Sequence, residues 1–320
     1  LHDWAFVSVD LELTNLCENR CAVCPREAML RPTGVMDPQT FLEIARALGE
    51  QKSLVSLSGM GDPLLHPHVF DFCRELRGRG ADVVVLVNAG SLARHADPED
   101  LVLAGPNSIA VSFPSSREEA FHRLCPGVSF EQALAATRAL ARLARGRVLV
   151  RVSGIRTRVN ADEGADFARF WKAEGVQAGM TACHGRGGNL AAADLYVPCD
   201  RGLSSGRCGL FAFHSFLTWQ GDVLACCHDL AGGTRLGNLL EEGAQEIGNR
   251  KAEILRVRRM FELCSRCDEP LRHCAVPAGP RPTSRRARRG FFRSLKAGSA
   301  VPSSRGDGSP SSGSQGPGRK

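Results

Sequence analysis

Two hydrophobic periods alternate along the first two thirds of the chain. Short β-branched runs at residues 7–13, 54–57, 83–87, 108–112, 148–155 and 176–180 read as strands. Between them, apolar residues recur at helical spacing over 38–48, 66–79, 130–144 and 161–173. Asp37 and Pro38 supply an N-cap and a first-turn proline for the first of these helices, and Glu43 adds early negative charge. The 130–144 run, rich in Ala, Leu and Arg, reads as a face packed on a sheet. Strand and helix in alternation predict βα units around a parallel sheet. In such sheets the chemistry gathers at the C-terminal strand ends. Further on the pattern changes: residues 211–219 and 222–225 flank Gln220-Gly221 as a β-hairpin would, and a helix-like stretch follows at 240–260.

Composition sharpens this picture. A chain of 320 residues with 43% hydrophobic content holds a barrel-sized domain and a smaller module. No apolar run approaches the roughly 18 to 20 residues that a membrane span needs. Thirteen cysteines point to metal ligation in a reducing compartment, so the expected location is the cytoplasm. The net charge of +7 is a property of the end of the chain: residues 278–320 carry +9, which leaves −2 for the rest. That division removes the argument for nucleic-acid binding by the body of the protein. The last segment is rich in Gly, Pro, Ser and Arg and is expected to be a disordered basic tail, with RRARRGFFRSLK at 285–296 as its one mixed basic and aromatic stretch.

The candidate chemistry starts at LELTNLCENRCAVCPRE, residues 11–27, which follows the first strand. Cys17, Cys21 and Cys24 stand in a Cys-x3-Cys-x2-Cys spacing. Three soft thiolates on one short loop can hold three irons of a cubane cluster and leave the fourth open to a small chelating molecule. Zinc and a disulfide are the alternatives, although no fourth Cys or His lies between residues 27 and 65. The spacing, with Pro25-Arg26 after it, resembles that of the radical S-adenosylmethionine (SAM) superfamily. Val23 departs from the aromatic residue that many members carry before the third cysteine. The resemblance implies a partial (βα)6 TIM-type barrel, a 4Fe-4S cluster on the three cysteines, and SAM on the open iron. It also implies SAM-binding roles along the strand ends. Ser58 to Pro63 resembles the glycine-rich motif that ends in Glu-Pro, with Gly59, Met60, Gly61 and Asp62 at its turn, Asp62 replacing the Glu. Asn88-Ala89-Gly90 resembles Thr-Asn-Gly, in which the Asn faces the ribose. Ser112, Arg151 and Ser153 are the candidates for the ribose and the methionine carboxylate, arginine being suited to bidentate binding.

A second cysteine pattern follows. Cys208, Gly221 and Cys226, then Cys264 and Cys267, resemble the twitch domain, the shortened SPASM-like extension that carries an auxiliary 4Fe-4S cluster. A structural zinc on the same four thiols is the alternative, and Cys199, Cys227 and Cys274 leave room for a second auxiliary cluster. The expected domains are a barrel at 1–190, an auxiliary-cluster domain at 191–277 and the tail at 278–320. Cys73 reads as core. Cys125 and Cys183 fall near expected strand-to-helix loops on the active face, where buried inert thiols are set against hydrogen-atom donors to a substrate radical.

The function implied by the resemblance is reductive cleavage of SAM and hydrogen abstraction from a substrate. A flavodoxin- or ferredoxin-type donor would supply the electron and the auxiliary cluster would take up the one left on the substrate. The substrate would be a small molecule oxidised by a dehydrogenase, or a peptide or protein residue. The alternative from another class is a non-catalytic iron-sulfur or zinc protein that transfers electrons or serves as a scaffold.

Overall fold

The structure is a computed structural model and describes residues 5–192, 194–196, 208–257 and 261–269. Its first six strands are β1 (Ser8–Leu11), β2 (Leu54–Leu57), β3 (Asp82–Asn88), β4 (Ser108–Ser112), β5 (Leu149–Arg156) and β6 (Gln177–Ala182). They lie side by side in chain order and are all parallel, as βα units require. Every second residue packs under the helices: Val83, Val85, Val87, Ile109, Val111, Val150 and Val152 are buried. The intervening residues Leu86, Asn88, Ser112, Arg151 and Ser153 stay partly or fully exposed on the other face.

The helices with strong apolar periodicity fall where expected. α1 (Pro38–Glu50) starts on Asp37, whose carboxylate accepts the amide N–H groups of Gln39 and Thr40 at 3.0 Å each. α2 is Val69–Gly78, and it begins later than the pattern suggests because residues 63–65 form a 3-10 turn set by Asp62. Three short helices were not expected: α3 (Ala89–His95), α4 (Pro98–Leu103), which starts on an Asp97-Pro98 cap like that of α1, and α5 (Glu118–Leu124). α6 (Phe130–Leu143) and α7 (Gly164–Ala173) match the remaining patterns. No helix among the described residues is long and apolar enough to cross a membrane.

The later segment extends the same sheet. α8 (Gly209–Phe213) leads into β7 (His214–Leu217), which pairs parallel with β1, and β8 (Asp222–Leu224) and β9 (Arg235–Asn238) add on antiparallel. The expected hairpin strand from residue 211 therefore begins at His214: Phe211 and Phe213 are buried in a single helical turn first. α9 (Leu239–Val257) is broken at Gly243, whose φ of 77° only glycine adopts without strain. Cys199, Cys274, residues 258–260 and the basic tail lie outside the described residues.

One buried carboxylate fastens the far side of the barrel. Glu163 is fully buried before α7 and accepts the hydroxyls of Ser115 and Ser116 and the amide of Ser116, all at 2.6 Å, so the loop after β4 is tied to the crossover after β5. Glu163→Ala strands these donors without water, and we expect it to cost about 2–4 kcal/mol. The midpoint of guanidinium unfolding checks this. Asp162→Ala, which removes only the exposed pair with Arg117, should leave that midpoint close to wild type.

Candidate functional site

The loop carrying Cys17, Cys21 and Cys24 leaves the C-terminal end of β1 and is pinned from four directions. Thr14 and Asn15 hold the segment below it: the Thr14 hydroxyl donates to the Gly34 carbonyl at 2.7 Å, and Asn15 takes the Gly34 amide at 2.9 Å and gives to the Pro32 carbonyl at 2.8 Å. From the end of β2, the Asp62 amide donates to the Leu16 carbonyl at 2.8 Å. From α3, Ser91 and Arg94 hold the buried Asn19 side chain at 3.0 and 2.9 Å. From α5, the Leu124 carbonyl accepts the Ala22 amide at 2.9 Å. The backbone is thus spoken for, and Cys21 and Cys24 open onto a cleft of about 430 Å³ lined also by Arg20, Arg26, Asn189 and Leu190.

The glycine-rich turn lies directly against this loop. A Cβ on Gly61 would stand 2.3 Å from the Thr14 carbonyl oxygen and 2.6 Å from Asn15 Cα, so only glycine admits so close an approach. A Cβ on Gly59 would meet Glu12 at 2.7 Å. Asp62 is buried and uses its carboxylate to cap the next turn, accepting the Leu64 amide at 3.0 Å. Burial pushes its acid form up, opposed by the Ser91 hydroxyl.

Asn88, Ser112 and Ser153 are level with one another across β3, β4 and β5, one residue from each strand in a single lateral row. Arg151 stands one pleat below Ser153, with a buried Nε that no acceptor meets among the described residues. The Asn88 carboxamide oxygen accepts the Gly90 amide at 2.8 Å and caps α3, so the Asn-Ala-Gly stretch begins a helix.

Cys125 and Cys183 are both buried. The Cys125 sulfur lies 3.2 Å from the sulfur of Cys21, reached from the end of α5, and this contact is the main reason the Cys21 thiol is pushed up, ahead of burial. Cys183 directly follows β6, and Cys73 is core in α2.

Sequence reasoning missed a buried ion pair at the heart of the site. Arg31 holds Glu12 in a fork at 2.7 and 3.0 Å, and Glu12 in turn accepts the Met60 amide at 3.1 Å. Arg31 also lies over the Phe216 ring at 5.4 Å, and its amide and that of Leu30 donate to the Leu230 carbonyl. One side chain therefore ties β1, the glycine-rich turn and the β7–β9 segment together. Arg31→Met leaves the Glu12 carboxylate buried without its counter-charge, and we expect a loss of about 3–5 kcal/mol. Glu12→Met/Arg31→Met should recover most of it, as unfolding midpoints of the two variants would record.

The second cysteine set closes around β7–β9. Cys208, Cys226, Cys264 and Cys267 line one cavity together with Phe211, His214, His228, Leu263 and Glu269. Asp229 shapes the loop between β8 and β9, its carboxylate accepting the amides of Ala231, Gly232, Gly233 and Thr234 at 2.6 to 3.2 Å. Trp219 covers Gly34 and donates to the Pro32 carbonyl at 3.2 Å, which seats the hairpin on the stretch that pins the first cysteine loop. His184, His228 and Glu269 also meet here, though only the last two had a nearby motif to point to them.

A three-cysteine loop at the C-terminal end of β1 in a partial parallel barrel, with a four-cysteine set around the added β7–β9 strands, defines an iron-sulfur protein of the radical SAM type. The sequence agrees: residues 11–167 match the family model described as the radical SAM superfamily, and residues 208–268 match SPASM, an iron-sulfur cluster-binding domain. The chain belongs to the radical SAM superfamily, and that membership implies an enzyme using a 4Fe-4S cluster and SAM, with the SPASM domain implying auxiliary iron-sulfur clusters. Among curated proteins it is similar to a tungsten-containing aldehyde ferredoxin oxidoreductase cofactor-modifying protein of Pyrococcus furiosus. The two are 33% identical over 81 residues, 24% of this chain and 22% of that protein, so the match spans about a fifth of the relative. Among solved structures it is similar in fold to BtrN in complex with AdoMet and 2-DOIA, at 16% identity and TM-score 0.54 over 82% of this chain and 93% of that one. Streptococcus suis SuiB bound to the precursor peptide SuiA gives TM-score 0.65 at 11% identity, covering 83% and 72%. Native anSMEcpe with bound AdoMet gives 0.59 at 15%, covering 81% and 86%.

Proposed function

We propose that the protein oxidises its substrate through hydrogen abstraction, with Cys17, Cys21 and Cys24 holding the SAM-binding cluster and Cys208, Cys226, Cys264 and Cys267 holding an auxiliary one. The donor chemistry fits: both sets are thiols, and Gly61 leaves the first loop a cradle that any side chain would fill. When bound, the cluster and SAM supply a one-electron cleavage that yields methionine and a 5′-deoxyadenosyl radical, which takes a hydrogen atom from the substrate. The turn from Gly59 to Asp62 would receive the SAM amino group. The row of Asn88, Ser112 and Ser153, with Arg151 below it, would receive the ribose and carboxylate. An auxiliary cluster held by Cys208, Cys226, Cys264 and Cys267 would supply the acceptor for the electron left on the substrate, whose proton would be lost to solvent. The first electron comes from a flavodoxin- or ferredoxin-type donor.

The observation that carries this reading is the bridge between the two cysteine sets. Asn189 lines the cleft of Cys21 and Cys24, and its side chain donates at 2.6 Å to the carbonyl of His228, two residues past Cys226. Substrate held over Asn189 would lie between an oxidising radical and an electron acceptor. Zinc at the second set is disfavoured by spacing: thiolates on one zinc stand about 3.8 Å apart. Among the described residues, the only trios with all ligand atoms within 4.8 Å are Cys226–Cys227–His228 and His184–His228–Glu269. The peptide branch of the proposal draws on SuiB, whose structure holds a precursor peptide. The small-molecule branch draws on BtrN with 2-DOIA. In the test, anaerobically reconstituted protein is reduced with dithionite in the presence of SAM. Release of 5′-deoxyadenosine is the expected result, and its absence from protein carrying about eight irons would sink the proposal.

A further inference from the structure

We propose that His184, His228 and Glu269 form a mononuclear site for a divalent first-row transition-metal ion, separate from both iron-sulfur clusters. The three donors come from three places in the chain: the loop after β6, the end of the β7–β8 hairpin and the stretch beyond Cys267. All of their ligand atoms lie within 4.8 Å of one another. Glu269 Oε2 is 3.1 Å from His184 Nε2 and 3.1 Å from His228 Nε2. With donors about 2.1 Å from a common ion, edges of that length subtend about 95° at the ion, the angle of neighbouring positions in a facial set.

Each ring also has polar neighbours at its other nitrogen, and His184 Nδ1 accepts the Arg186 amide at 3.4 Å. Metal-bound imidazoles are oriented through their other ring nitrogen. His184 Nδ1 faces Asp268 at 3.6 Å, and Asp268 is itself fixed by the Gly185 amide at 2.9 and 2.7 Å. His228 Nδ1 faces the Cys227 sulfur at 3.7 Å. His228 is 2% exposed and His184 9%, so neither ring is a solvated surface histidine. Two nitrogens and a carboxylate oxygen suit Fe²⁺, Zn²⁺ or Mn²⁺ and differ from the all-sulfur sets on either side. Three protein ligands leave the remaining coordination positions to water. The ion would also join the barrel, through His184, to the auxiliary segment, through His228 and Glu269. This inference does not depend on the substrate or on SAM cleavage.

Mn²⁺ is the probe, because it binds nitrogen and oxygen donors and competes poorly for thiolates. Holoenzyme with its clusters filled is cleared of loosely held metal by a chelator and titrated anaerobically with Mn²⁺, following loss of the free-ion electron paramagnetic resonance signal. We expect one Mn²⁺ per chain with spin-echo modulation from two imidazole nitrogens. His184→Ala, on the barrel side and away from the auxiliary cysteines, should weaken uptake by about 10- to 100-fold with cluster absorbance unchanged. Glu269→Gln should do the same. Uptake that is equal in wild type and both variants, or no uptake by wild type, or bound Mn²⁺ without nitrogen modulation, would overturn the proposal in favour of a hydrogen-bonded trio.

Discussion

Alanine at Cys17, Cys21 or Cys24 is expected to abolish 5′-deoxyadenosine formation and to lower the iron content from about eight to about four per chain. The size of the effect follows from geometry. The loop has no spare thiolate from its own sequence, because residues 27–65 contain no Cys. Cys125 lies 3.2 Å from the Cys21 sulfur, so Cys21→Ala is the variant in which partial cluster retention is worth measuring. Alanine at Cys264 or Cys267 should have a different signature. Iron again falls to about four, yet 5′-deoxyadenosine is still formed, because the first cluster and the glycine-rich turn are held by contacts from α3, α5 and β2 and not by the second cysteine set. Substrate oxidation would then stop after hydrogen abstraction. Iron analysis beside chromatographic quantitation of 5′-deoxyadenosine separates the two patterns. Loss of 5′-deoxyadenosine in both sets would mean that the clusters are not functionally distinct.

The contrast also explains which parts of the molecule could be read from the chain. β2 and β4 sit where their β-branched runs begin and end, and Asp37-Pro38 marks the start of α1, because these signals are local. Asn88 and Ser112 could be picked out because each ends a strand in a sheet whose order follows the sequence, while Ser153 joins their row from the middle of β5 through the register of β4 and β5. The short helices α3 and α5 were not, because a helix of seven residues is too short for apolar periodicity to stand out. Nor was the Glu12–Arg31 pair or the meeting of His184, His228 and Glu269. Those depend on β7 docking beside β1, a contact between residues about two hundred positions apart that no local pattern encodes.

Lys251 is where that docking should be most sensitive to change. It projects from α9 into the core, 2% exposed, and its ammonium donates to the carbonyls of His214 and Ala5 at 2.6 and 3.3 Å and to the Ser215 hydroxyl at 3.0 Å. The Phe211 ring lies 4.9 Å from the nitrogen. Those acceptors belong to β7 and to the residues before β1, the two chains of the sheet junction, so one amine bridges the barrel and its extension. Burial pushes the amine down to about 7, only partly opposed by Cys208. The folded form therefore releases its proton at lower pH than the unfolded chain does. Between about pH 7 and pH 10 the unfolded chain holds more protons, and this group adds stability as pH rises, by up to about 1.4 kcal/mol per unit; below about pH 7 that contribution is lost. Lys251→Met keeps the length of the side chain but takes the buried donor away from the His214 carbonyl and the Ser215 hydroxyl, while the Ala5 carbonyl keeps its bond from Ser215 at 2.6 Å, and we expect it to destabilise the protein by about 2–4 kcal/mol at neutral pH. The penalty should be larger at pH 9 than at pH 7, because wild type gains over that interval and the methionine variant does not. Guanidinium unfolding of wild type and variant at both pH values, followed by circular dichroism under anaerobic conditions, reads this directly. A difference that stays constant or shrinks with pH would mean that Lys251 remains charged in the core.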